Sequence, residues 1–304
     1  MNTIWSKYIQ GAKTLYYSRK LRFDDKFASE YKELFGLDET KQLKILEIGC
    51  GSGALAGSLA CWYPTAEIIA IDRDGEFIRF AKEHEKGAPF IEADIAALPF
   101  ANESFDVMIS NTVCEHIEHS VFYKEQLRVL KPNGVCLVLS SRKGITVAPD
   151  CYAQSGYEKE FWQKAEQFDN AVEKYGIGKY YLNEAKLPVV MERYGFKNVK
   201  TGYVIANLTP DNPDTAPEFA RAIINADRYA AIESIESVEY SMPEHFSSKE
   251  IAEMKRIVKN KYDTRINQYD NNEKQWDTTV SVTMVLRGIK PYVTEICKTA
   301  SKVI

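Results

Sequence analysis

Apolar residues come in short, nearly continuous runs at about 44–48, 66–71, 88–93, 105–110 and 135–140. Runs of this kind fit strands buried on both faces of a parallel sheet. Between them, about 53–62, 75–85 and 119–130 carry apolar residues at helical spacing. Strand and helix in alternation predict a doubly wound α/β sheet. Lys131-Pro132-Asn133-Gly134 reads as a turn, Pro stopping the helix and Gly free to take positive φ. Two further strands are expected at about 197–206 and Thr278–Leu286; the second, β-branched and alternating, should run antiparallel at or near the sheet end. Before the sixth strand, Asn183 is placed to cap a helix running to about Tyr194, with Gly195-Phe196 as the turn. Residues 143–182 are too aromatic for a plain linker and predict helices near a pocket mouth. Residues 208–277 open on the turn cluster Thr209–Asp214 and predict helices at about 216–236 and 247–270, an insertion long enough to be a lid or a dimer arm. The tail 289–304 reads as one last helix.

The chain is organised around residues 45–53. Ile45-Leu46-Glu47-Ile48 stops at Gly49-Cys50-Gly51-Ser52-Gly53, and a helix-forming stretch follows. Strand, tight glycine turn and helix open a nucleotide-binding unit. The helix start offers free N–H groups. The glycines alone say little, since Gly49, Gly51 and Ala54 also fit the dinucleotide pattern. Glu47 adds more: a carboxylate near the end of a buried strand needs loop N–H groups or a cationic ligand. Asp72, ending the next apolar run, lies where an acid can accept both ribose hydroxyls of an adenosine. Asp74 is placed to cap the helix behind it.

Glu47–Gly53 resembles the first motif of class I S-adenosylmethionine-dependent methyltransferases, small-molecule type. Ala66–Asp72, Ala93–Phe100, Phe105–His119 and Leu127–Ser141 resemble later segments of the family in the same order, so the likeness covers about residues 40–142. It implies a seven-stranded sheet, mostly parallel with the last strand antiparallel, and S-adenosyl-L-methionine as cofactor. Carried onto this sequence, it makes Glu47, Gly49, Cys50, Gly51, Gly53 and the Asp72-Arg73 pair cofactor-binding, with Asp94 accepting from the adenine amine and Ile95 against the ring. Asn111, Thr112 and Val113, after the fourth strand, should wall the pocket near the reactive methyl. Glu115-His116 resembles a dipeptide common in the family. His116 is a candidate general base, with a structural hydrogen bond as the blander alternative, and His119 reads as a surface residue. In the aromatic N-terminal segment, Tyr16 and Tyr17 could face the sulfonium and Arg22 could pair with the cofactor's carboxylate. The expected organisation is a helical cap over 1–40 and a methyltransferase domain over 41–304, the helical insertion included.

Composition adds limits. A net charge of −4 gives no general attraction to nucleic acid, and the chain has no basic stripe calling for RNA methylation. No run is long and apolar enough for a membrane span. The N-terminus has no apolar core of a signal peptide, and the six cysteines form no C-x-x-C pair and no zinc spacing. A cytoplasmic protein without a metal is expected. The expected partners are a small-molecule methyl acceptor and, through the insertion, a second copy in a homodimer. Two other readings stay open: an NAD(P)-dependent oxidoreductase on a similar sheet, and a non-catalytic protein that binds the cofactor and a partner.

Overall fold

The computed structural model describes residues 4–169 and 174–292. Seven strands build one sheet: β1 (Lys44–Ile48), β2 (Glu67–Asp72), β3 (Phe90–Glu92), β4 (Phe105–Asn111), β5 (Leu130–Val147), β6 (Lys197–Leu208) and β7 (Thr278–Ile289). Their order is β3-β2-β1-β4-β5-β7-β6. The first five pair in parallel, and β7 enters antiparallel between β5 and β6. This is the sheet expected from the sequence. Strand order reverses beside β1, which pairs with β2 on one side and β4 on the other. A crevice therefore opens at the carboxyl ends of β1 and β4.

Ten helices are described: α1 (Ile4–Tyr8), α2 (Ala12–Arg22), α3 (Ala28–Phe35), α4 (Ala54–Trp62), α5 (Gly75–His84), α6 (His119–Val129), α7 (Gly156–Glu166), α8 (Lys186–Arg193), α9 (Pro217–Ser241) and α10 (Ser248–Asp270). Successive strand residues point to opposite faces, and both faces are covered. Ile45, Val107, Ile109, Leu139 and Val285 pack with Tyr31, Phe35 and Leu59 of α3 and α4. Leu46, Ile48, Met108, Val138 and Leu286 pack with Phe122 and Met191 of α6 and α8. Each such side chain contributes about 1.5–3 kcal/mol by leaving water.

Three expectations change. The fifth strand runs on to Val147, because β-branched Ile145, Thr146 and Val147 pair with Val280, Thr279 and Thr278. Helix α7 therefore starts only at Gly156, behind the capping box of Ser155 and Glu158. The Lys131–Gly134 turn is a bulged start of β5, and Asn133, not Gly134, has positive φ (63°). Gly134 matters for close approach instead: a Cβ there would lie 2.8 Å from the Lys131 carbonyl oxygen. The expected tail helix falls on residues 293–304, outside the described residues.

The insertion is two long helices, α9 and α10, with a satellite core of their own. Ile235, Val238, Met254 and Val258 bury against Phe161 of α7. At its base the wholly buried Arg265 reaches Asp277 Oδ1 from Nε (3.0 Å) and Asp211 Oδ2 from Nη2 (2.8 Å). The insertion is also tied to the N-terminal helices. Glu233 of α9 accepts from the Thr14 N–H in the first turn of α2 (3.1 Å), and Tyr17 stacks on Tyr229 at 4.8 Å.

Candidate functional site

The glycine turn after β1 holds its shape because Gly49, Gly51 and Gly53 have φ of 64°, 54° and 87°, where a side chain is strained. Gly51 also has no room for one, since a Cβ would lie 2.6 Å from Leu15 Cδ2 of α2. The Cys50 N–H donates to the Ile71 carbonyl (2.9 Å), and the buried Cys50 thiol is pushed up in pKa by desolvation. Asp72, ending β2, accepts from the Gly51 N–H at Oδ2 (2.8 Å) and from the Asp74 N–H at Oδ1 (2.9 Å). Its pKa is nonetheless raised, burial outweighing those two bonds. Each oxygen keeps a further lone pair for a ligand hydroxyl. Asp74 caps α5 through the Glu76 N–H, as expected, and accepts from the Ser6 N–H of α1.

Glu47 is 0% exposed, and neither carboxylate oxygen has a hydrogen-bond partner of good geometry. Burial, the largest cause, pushes its pKa from 4.5 up to about 8; Arg19 opposes this, Asp72 adds to it, and the nearby Ala56 N–H relieves it slightly. Of the two partners the sequence suggested, loop N–H groups are thus not the answer. The facing cation is Arg19 of α2, itself 9% exposed, with Nη2 2.5 Å from Thr112 Oγ1 and Nε without a partner. Its pKa is lowered to about 10, by burial and then by Arg22, while Glu47, Asp72 and Glu115 pull it back.

Asn111 at the end of β4 is 1% exposed, and its Nδ2 has no partner. Thr112 has φ 54°, a rare conformation for a β-branched residue. It is held there by its N–H to Leu139 O (2.9 Å) and by the Arg19 contact. Val113 packs over Gly49, at 2.5 Å from a Cβ built there. Asp94 is exposed; its Oδ1 accepts from the Ala96 N–H (2.8 Å), while Ile95 is buried in the core beside Ile71.

Other residues singled out in the sequence lie elsewhere. Tyr16 turns to α5, its hydroxyl donating to Glu85 (2.9 Å) and its ring against Phe80. Tyr17 is committed to Tyr229. Arg22 donates to Ser141 Oγ (3.4 Å), one helical turn past Arg19. Arg73 is exposed, and its charge helps hold the His116 pKa down. The Gly178 N–H donates to His116 Nδ1 (2.9 Å), and Trp5 packs edge-on against the ring. Burial, then Arg19 and Arg73, lower the His116 pKa to about 4. With Nδ1 accepting that bond and the proton on Nε2, a neutral His116 has no free lone pair for a substrate proton. His119 is half-buried rather than a plain surface residue, its Nε2 3.0 Å from the Tyr180 carbonyl. Leu15 and Arg19 were not among the expected site residues. The signal was helical spacing: Leu15, Arg19 and Arg22 share one face of α2.

Comparison with known proteins matches this region. Residues 46–138 fit the family model described as a methyltransferase domain. This part of the chain is a class I S-adenosylmethionine-dependent methyltransferase domain. The chain is 36% identical over 97 residues to a malonyl-[acyl-carrier protein] O-methyltransferase of Methylococcus capsulatus, covering 30% of this chain and 34% of that protein. It is 28% identical over 157 residues to the protein of the same description from Legionella pneumophila, covering 49% and 52%. The chain thus spans a third to about half of these relatives' own length. A solved structure, Haemonchus contortus phosphoethanolamine N-methyltransferase 2 in complex with S-adenosyl-L-methionine, is 17% identical with a TM-score of 0.49, covering 95% of this chain and 60% of that one.

The residues around the methyltransferase-domain crevice fit such a cofactor. A buried carboxylate without a partner, a guanidinium nitrogen without one and an amide donor without one meet at the glycine turn. A ligand with an ammonium, a carboxylate and ribose hydroxyls would satisfy all of them. Beside the start of α2, a cavity of about 1440 Å³ is bounded by Ser6, Gly11, Phe80, Trp162, Glu233 and Tyr240; neither Glu47, Asp72 nor Asn111 lines it.

Proposed function

We propose that this protein transfers a methyl group from S-adenosylmethionine to a small-molecule acceptor. The observation that carries the reading is the Glu47 carboxylate, fully buried at the glycine turn with no partner of its own. A dinucleotide brings its anionic pyrophosphate to a glycine turn of this kind, where a carboxylate would repel it, whereas an amino-acid ammonium suits the carboxylate. In this reading Asp72 takes the ribose hydroxyls, the open oxygen of Asp94 takes the adenine amine, and Arg19 rather than Arg22 takes the carboxylate.

When bound, the cofactor supplies a methyl group on a sulfonium, already a good leaving group. What remains for the chain is alignment and exclusion of water, which can supply several kcal/mol or more. Leu15 and Arg19 roof the crevice from α2, and Asn111 and Thr112 form its wall. His116 belongs to that frame as a neutral acceptor of a backbone N–H. The relatives' names specify O-methylation of malonyl-[acyl-carrier protein]; for this chain the reading stays at a small acceptor. Helix α9 spends its apolar side on α7 and α10, which supports a wall of the cavity beside α2 rather than a dimer arm. The free, buried thiols of Cys50, Cys114 and Cys136 support a cytoplasmic setting.

Calorimetry with S-adenosylhomocysteine and with NAD tests the reading. Binding of the first, weakened in Glu47→Ala and Asp72→Ala, is expected. Binding of NAD alone would overturn it.

A further inference from the structure

Helix α2 runs along a row of strand ends. Leu15 lies on Gly51, just past β1; Arg19 reaches Thr112, just past β4; Arg22 reaches Ser141 of β5. Strands β1, β4 and β5 are consecutive in the sheet. Register puts Glu47, Asn111 and Ser141 on one face: Glu47 pairs with Ile109, Asn111 with Leu139, and Ser141 follows Leu139 by two residues. In the function proposed above, on which this inference rests, the cofactor follows the same row. Its adenine meets Asp94 past β3, its ribose Asp72 at β2, its ammonium Glu47 at β1 and its carboxylate Arg19 over β4. The next place, over β5, lies beyond the cofactor and belongs to Arg22.

The two arginines, one turn apart, differ in their counter-charges. Arg19 faces Glu47, Asp72 and Glu115. Arg22 forms no ion pair with the described residues. Its two contacts are with neutral oxygens at 3.4 Å, the Ser18 carbonyl from Nε and Ser141 Oγ from Nη1. Both are longer than the usual ~2.7–3.2 Å, and Nη2 makes no hydrogen bond with the described residues. Burial lowers the Arg22 pKa, and the titratable neighbour that bears on it is no acid but Tyr31, whose phenol burial pushes up to about 12 and keeps neutral. Arg142, next along β5, points to the opposite face. It donates there to Tyr181 and Leu182, with Glu184 Oε1 3.5 Å from its Nε. A half-buried guanidinium without a counter-charge is costly until an anion joins it. Ser141 is exposed, so an anion can reach the place from solvent.

We propose that Arg22 is the residue that binds the methyl acceptor, and that the acceptor carries a carboxylate. Nη1 and Nη2 present a planar fork, the geometry in which arginine takes a carboxylate through two parallel bonds. One guanidinium beside one hydroxyl matches a single negative charge rather than the two of a phosphate. Arg22 thus holds the acceptor over β5 while Arg19 holds the cofactor over β4, and one helix sets the spacing of the two substrates.

The test uses the full chain saturated with S-adenosylhomocysteine, so that Arg19 is occupied. Two probes of one shape, 3-phenylpropanoate and 3-phenylpropanamide, are titrated at millimolar levels and followed by NMR. The carboxylate is expected to bind about tenfold or more tighter than the amide, and to shift the amide signals of Arg22 and Ser141. Arg22→Gln should weaken the carboxylate about tenfold or more, leave 3-phenylpropanamide unchanged, and alter S-adenosylhomocysteine affinity by less than about threefold. Arg22→Lys should recover part of the carboxylate binding. Should the variants fail to fold, the wild-type preference and the shifts at Arg22 and Ser141 still decide. Equal binding of the two probes, no shift at either residue, or undiminished carboxylate affinity in Arg22→Gln overturns the proposal. So does a loss of S-adenosylhomocysteine affinity in Arg22→Gln as large as that of the carboxylate, which would give Arg22 to the cofactor. Failure of S-adenosylhomocysteine to bind the wild type marks the different case in which the methyltransferase reading falls, and this inference with it.

Discussion

Glu47 makes the stability of the protein depend on pH in an unusual direction. Its carboxyl ionises near 4.5 in an unfolded chain and at about 8 in the folded one. Between those values the folded protein holds a proton that the unfolded chain has released. Raising the pH through this window therefore favours unfolding, at about 1.4 kcal/mol for each pH unit. The penalty is absent below the unfolded value, grows across the window and levels off above the folded one. Over the whole window it amounts to on the order of 5 kcal/mol, a large share of the ~5–15 kcal/mol that holds a domain together. Glu47→Gln keeps the shape and removes the titration. The variant should match the wild type at about pH 5 and exceed its stability by several kcal/mol at about pH 8.5. Denaturant unfolding at both pH values measures the gap, with equal slopes required so that midpoints can be compared. A gap that stays constant with pH, or a wild type favoured at the alkaline end, would refute the assignment of a protonated, unpartnered carboxyl at the turn. The same variant should lose affinity for S-adenosylhomocysteine, so greater stability and weaker binding should appear together.

Asp72→Ala should weaken S-adenosylhomocysteine binding about tenfold or more, through the loss of charge-assisted bonds, with the melting curve still cooperative. Arg19→Ala should cost binding about tenfold to a hundredfold and Arg22→Ala much less, as calorimetry on the pair would show. Gly51→Ala should destabilise by about 1–2 kcal/mol from its φ alone, with further loss because Leu15 of α2 must give way. His116→Asn can still accept the Gly178 N–H, so turnover should keep its pH profile; disappearance of a basic limb would show that His116 moves a proton after all.

What the sequence made legible was local. The glycine turn, the acid ending β2 and the cap at Asp74 each follow from a few adjacent residues, and the apolar runs of β1, β2, β4 and β5 announce strands buried on both faces. Less legible was anything decided by where one element crosses another. Arg19 and Arg22 share a helix face, and only the passage of α2 over the glycine turn decides that Arg19 meets Thr112 while Arg22 goes to Ser141. His116 reads as a base until Gly178, far along the chain, is found donating to its ring. The extension of β5 depends on β7, more than a hundred residues later, offering Thr278–Val280 as partners.

The crossing of α2 also joins parts of the protein that the sequence presents as separate. Its first turn is capped by Glu233 of α9, and its middle stacks Tyr17 on Tyr229 of the same helix. Leu15, at the end of that first turn, sits on Gly51, and Arg19, one turn further on, meets Thr112. A displacement of α9 must therefore pull on the roof of the crevice or break the Glu233 cap, whose loss costs about 0.5–2 kcal/mol. Gly11 permits that cap, because any side chain there would meet the Glu233 carboxylate. Glu233→Ala should consequently raise the dissociation constant for S-adenosylhomocysteine by several-fold, although Glu233 is in contact with α2 and not with the glycine turn. Hydrogen exchange should show α2 amides opening faster in that variant while those of α4, which α2 covers, stay as protected as before. Unchanged affinity together with faster exchange in α2 would mean that the roof and the crevice are not coupled, and that α2 serves only to cover the core beneath it.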